Sequence, residues 1–128
     1  MIEKAIYALL TNDATIQGYI GTRVFPWPIP QGAIEPSVCY MVDEKPIQYC
    51  DNGNGIIYNE VAIAVLSESL LTAETIGVEI KRVLNFYRGT AGGVVVHHIR
   101  LMNGENDFDE EARMHFVKQV YQMTILTN

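Results

Sequence analysis

At 128 residues, with 48% hydrophobic and 19% charged side chains, the chain has the composition of a folded domain that can bury one core without disulfides or a structural metal. Its longest apolar runs fall far short of a membrane span, and residues 1–10 combine a charged pair with amphipathic spacing rather than a leader with a cleavage site, so one soluble domain over residues 1–128 is expected. Fifteen acidic against nine basic residues leave a net charge of −6, and the scattered basic residues argue against a surface built to grip phosphates.

Ile2, Ile6, Leu9 and Leu10 recur at helical spacing with Glu3 at the positive helix end, which predicts a first helix over 2–10. Thr11, Asn12 and Asp13 offer a fresh N-cap for a second helix over 13–19, closed by Gly21. Four prolines and the only tryptophan then fall between residues 26 and 36. Proline cannot donate to a strand ladder, so Phe25 to Pro30 is expected as an extended surface or edge segment, with prolines alternating against Phe25, Trp27 and Ile29 in a stiff two-sided ribbon.

Residues 37–42 are rich in strand formers and predict a first strand. A long polar hairpin loop follows, with an Asn-Gly turn at its tip. The return strand, 56–66, places Ile57, Val61, Ile63 and Val65 on one face. Tyr58, Glu60, Ala62 and Ala64 occupy the other, where the small alanines leave room for a closely packed helix or subunit. Ser69 or Thr72 can cap a third helix carrying Ile76, Ile80, Val83 and Leu84 as its apolar stripe and ending near Gly89. Residues 92–102 read as a strand, 104–111 as an acidic turn, and 115–126 as a last strand with Val117, Tyr121, Met123 and Ile125 on one face. The expected architecture is α+β: an antiparallel sheet of about four strands with helices packed on one face.

No spacing carries chemistry. His97 and His98 are adjacent on a strand and point to opposite faces, and nothing in the spacing joins them to His115 or Asp107 as ligands. Glu105, Asp107, Asp109, Glu110 and Glu111 lack the alternating oxygen ligands and glycine of a calcium loop, and read as a solvated or electrostatic contact surface. Cys39 and Cys50 lack CxxC spacing. Ser37, Ser67 and Ser69 have no nucleophile-elbow glycines, and "GTAGG" precedes a strand instead of opening a helix, so neither a serine nucleophile nor a phosphate cradle is expected. The reading is a protein that is not an enzyme and carries no cofactor or metal.

The order of these pieces resembles the tail completion or tail terminator proteins of long-tailed bacteriophages. The matching segments are "IYALLTNDATIQGYIGTRVFPWPIPQG", then "PSVCYMV", then "VAIAVL" leading into "TAETIGVEIKRVLNF", and finally "KQVYQMTIL". The resemblance implies a virion protein, assembled in the host cytoplasm. It implies a homo-oligomeric ring, a hexamer, docked on the major tail tube protein and on a neck or head-completion protein, with DNA passing through without specific binding. An acidic chain suits such a channel, because a basic lining would hold phosphates and retard the DNA. In that setting Phe25, Trp27, Ile29, Tyr49, Asp51, Asn52 and Asn54 are candidates for a subunit or tube interface, and the five carboxylates of 105–111 for an acidic contact or lumen surface. The competing readings are a head-closure or connector protein of the neck, an adaptor that binds a peptide along an edge strand, and a small metal-dependent enzyme using His97, His98 and His115.

Overall fold

The computed structural model describes residues 2–28, 30, 32, 34–45, 48–49 and 55–127. Three helices, α1 (Ile2–Asn12), α2 (Ala14–Ile20) and α3 (Leu70–Leu84), accompany seven strands. These are β1 (Val24–Pro26), β2 (Ser37–Glu44), β3 (Gln48–Tyr49), β4 (Gly55–Ser67), β5 (Gly89–Ala91), β6 (Val94–Asp109) and β7 (Met114–Thr127). Along the sheet the order is β1-β2-β4-β7-β6-β5, with β3 pairing β4 beside the path.

The class is α+β as expected, but the sheet is larger than four strands and mixed. Val24, Phe25 and Pro26 pair in parallel with Val38, Cys39 and Tyr40, adding β1 at one edge. This position suits a proline-bearing segment, since an edge strand needs to donate on one side only. The two-sided ribbon ends at Pro26. The chain bends at Trp27 and Pro28, although Trp27 N–H still donates to Tyr40 O at 2.9 Å. At the other edge β5 and the Gly92–Gly93 turn form a hairpin ahead of β6, and α3 stops at Leu84, capped at Asn85, well before Gly89.

The helices fold as their caps dictate. Asp13 accepts from Ile16 N–H at 3.1 Å and Ser69 from Thr72 N–H at 3.2 Å, each satisfying a free donor of a first turn. Arg82 ties the two helices together, reaching the Asp13 carboxylate at 2.8 Å and Glu79 at 2.6 Å. Burial alone would raise the Asp13 carboxyl, but the Ile16 N–H and the Arg82 guanidinium outweigh it and hold the group below its ordinary value.

All three helices lie on one sheet face. Ile6, Leu10, Ile16, Ile76 and Ile80 pack there with Val61, Ile63, Val65, Tyr121, Met123 and Ile125 in one buried cluster. Two close approaches shape this layer. Gly77 of α3 lets the helix settle onto β7, where a Cβ would meet Val117 Cγ1 at 3.0 Å, and Gln119 Nε2 donates to Gly77 O at 2.8 Å. Gly92 has φ +56, and a Cβ there would lie 2.4 Å from Lys4 O of α1. Tyr121 is fully buried, its hydroxyl donating to Gln119 Oε1 at 2.5 Å, and burial pushes the phenol far up.

Segment 104–111 is not a turn as expected. Strand β6 continues to Asp109, and the turn comes at 110–113. Strand propensity is low for this acidic run, so it is the partner strand that fixes it: Glu105 pairs with Lys118, Asp107 with Phe116 and Phe108 with His115. The Phe108 and His115 rings stand 4.7 Å apart across the strands. Two edge donors are closed locally, Gly104 N–H by Asn103 Oδ1 and Phe108 N–H by Asp107 Oδ1, both at 2.8 Å. Such self-satisfied donors blunt an edge against adventitious pairing.

Candidate functional site: an open concave sheet face

Side chains alternate across a strand, so covering one face with helices leaves the other bare. On β4 that bare face carries Tyr58, Glu60, Ala62, Ala64 and Leu66. The register places Cys39 and Met41 of β2 beside Ala64 and Ala62, and Lys118 and Val120 of β7 on the far side of the same alanines. A register shift between Leu101 and Asn103 then reverses the alternation of β6. Because of that bulge Glu105 and Asp107 share the open face with Lys118 and Phe116, while Asn106 turns to the helix side and donates to Glu74 of α3 at 3.1 Å.

The sheet curls toward this face until its two flanks line one groove of about 420 Å³. Trp27 stands on the β1 flank, residues 107–109 on the β6 flank, and Cys39, Ala62, Ala64 and Phe116 between them. The alanines set the depth, since any larger side chain would fill the floor. Trp27 is 52% exposed and Met41 54%, so the rim is apolar and solvated. On the β6 flank Asp107 and Asp109 have no cationic partner among the described residues, and Lys118 lies 4.0 Å from Glu105. Cys39 is buried beneath the groove, and burial pushes its thiol up to about 11, so it is a packing residue and not a nucleophile at neutral pH.

The structure thus brings together two sets that the sequence kept apart. Trp27 and the carboxylates of β6 face one groove instead of forming separate surfaces. Phe25 is a half-buried β1 residue, while Glu110 and Glu111 lie in the exposed turn beyond the groove. Tyr49 belongs to β3, paired with Gly55. Ile29, Asp51, Asn52 and Asn54 lie outside the described residues, as does the Tyr49 side chain. Met41, Phe116 and Lys118 were not singled out from sequence. Their position depends on cross-strand register, which no local pattern states; the alternating alanines of β4 were the one available signal.

The histidines do not gather. A second register shift falls between Val96 and His98, leaving His97 exposed, while His98 lies beside the Phe86 ring with centroids 6.4 Å apart and His115 stacks against Phe108. Among the described residues no group of three or more His, Cys, Asp or Glu side chains is placed to hold a metal ion, and no helix is long and apolar enough to cross a membrane.

No protein-family model matches the chain, and no curated protein matches it in sequence. Its fold is similar to that of a chain in the virion of a native gene transfer agent (GTA) particle, with a TM-score of 0.69 over 95% of this chain and 92% of that one. Sequence identity is 17%, so the likeness is one of fold.

Proposed function

We propose that the chain is a structural component of a tailed, phage-like virion and, within it, a tail terminator: a ring subunit that caps the head-proximal end of the tail tube and forms the joint to the head. The observation that carries the proposal is the fold shared, nearly end to end, with a chain of a gene transfer agent virion. The order of sequence segments described above points to the same class. The site agrees with it in kind. A shallow, open-ended groove floored by small side chains and rimmed by Trp27 and Met41 suits a protein surface better than an enclosed small-molecule site.

In this reading the chain is not an enzyme, and it works by contact. A hexameric ring would present the open faces and acidic strands to neighbouring subunits, to the tube and to the path of DNA, with the net charge of −6 keeping phosphates moving. The test is removal of the gene from a producing strain. Tails of uncontrolled length, together with filled heads that lack tails, are the expected products. Tails of normal length with heads that leak DNA would assign the chain to head closure instead, and unaltered particles would exclude both roles.

A further inference from the structure

The groove has a counterpart on the same chain. Where α3 ends, Phe86 is held at φ +68, a conformation that a bulky non-glycine residue adopts only under strain, and its side chain is left 74% exposed. Its amide donates to Ile99 O at 2.7 Å, and the neighbouring Asn85 Oδ1 accepts from Leu101 N–H at 2.9 Å, so this corner is pinned to the outer edge of β6. Arg100 lies between those two pinned strand residues and Arg88 follows two residues after Phe86. Both arginines are exposed, and neither has a carboxylate partner among the described residues. The corner is therefore an exposed aromatic knob accompanied by two arginines that lack carboxylate partners among the described residues, Arg100 standing on the open sheet face opposite Gln122.

The groove offers the inverse: an apolar trough beside Asp107, which has no cationic partner among the described residues, and beside Glu105, whose one cation, Lys118, stands 4.0 Å away. Arg100 and Asp107 stand seven residues apart along β6, about 23 Å at strand rise, so a single chain cannot close one surface on the other. The geometry points to a second copy of this chain as the occupant of the groove, with the Phe86 knob of one copy seated between Trp27 and Phe116 of the next and Arg88 and Arg100 facing its Glu105 and Asp107. This inference rests on the reading of the chain as a ring subunit and specifies the contact. Because the two surfaces differ, the contact is heterologous, and repeating it closes a ring or extends a filament.

Analytical ultracentrifugation of the full chain, at concentrations up to on the order of 1 mM, tests this. The wild-type chain is expected to associate. Glu105→Lys with Asp107→Lys, and separately Arg88→Glu with Arg100→Glu, should each raise the dissociation constant by about a hundredfold or more, because like charges then meet. An equimolar mixture of the two reversed chains should associate again, since both of its alternating contacts are complementary. Phe86→Gly removes the knob and relieves the strained φ. It is expected to keep or raise the melting temperature while losing association, a combination that a folding defect would not give. A wild-type chain that stays monomeric throughout, reversed chains that associate like the wild type, or a mixture that stays monomeric would each overturn the contact. Tail defects after gene removal, combined with any of these results, would leave the virion role standing and remove only the interface.

Discussion

Replacing Gly92 by alanine should cost far more than the same change one residue later. Both glycines lie in the turn between β5 and β6 at positive φ, +56 and +77, so each Gly→Ala change incurs about 1–2 kcal/mol for placing a Cβ in the left-handed region. They differ in surroundings. A Cβ on Gly93 meets nothing within 4 Å, whereas on Gly92 it would lie 2.4 Å from Lys4 O, 2.7 Å from Lys4 C and 3.2 Å from Ala5 N. These are backbone atoms of α1 and have no rotamer to escape into. Ordinary contact begins near 3.4 Å, so the turn and the start of α1 must separate by about 1 Å. Ile2, Ala5 and Ile6 are almost wholly buried in the same helix, and shifting them carries an overpacking cost of about 1–3 kcal/mol. Gly92→Ala should therefore lower stability by about 3 kcal/mol and Gly93→Ala by about 1 kcal/mol. Urea unfolding of both variants, followed by far-ultraviolet circular dichroism, measures the difference. Equal losses would refute the close docking of α1 on this turn.

Trp27→Ala should leave the monomer folded and weaken self-association by about 2 kcal/mol or more, read by sedimentation; a variant that assembles like the wild type would reduce the tryptophan to a cover for β1. Asp13 links pH to stability. Its folded carboxyl sits below the ordinary 3.8, so its contribution is complete above that value and is lost as pH falls through the lowered one. Asp13→Asn keeps a capping side chain, and its melting temperature should fall below that of the wild type at pH 6 but converge with it near pH 2, the refuting result being a constant gap. In a Cys50→Ser background, Cys39 should resist alkylation at pH 8 until the protein is unfolded, since its thiol is buried and pushed up to about 11. Rapid labelling of the native protein would contradict the packing beneath the groove.

The helices were legible because their signals are local. Asp13 and Ser69 announce the starts of α2 and α3, and Ile76, Ile80 and Leu84 recur at the spacing that buries them. The main buried faces of β4 and β7 were legible for the same reason, through strict alternation from Val61 to Val65 and from Tyr121 to Ile125. What escaped depends on partners distant in the chain. The acidic residues of β6 look like a turn in isolation and become a strand only because Met114 to Lys118 hold the opposite side of the ladder. Strand β1 needs β2 to define it, and β5 is three residues long, too short to carry a period. Of the groove, Trp27 and the carboxylates were recognised as surface residues, but their meeting across five strands follows from curl and register. Phe86 has no sequence signature at all, since its exposure comes from a positive φ after a helix end.

The claim that this chain is a virion protein at the head–tail joint is tested most directly by gold-labelled antibody on intact particles, viewed by electron microscopy. Label confined to the junction of head and tail on each particle is the expected result. Label distributed along the tube or over the head, or particles that carry none, would contradict it.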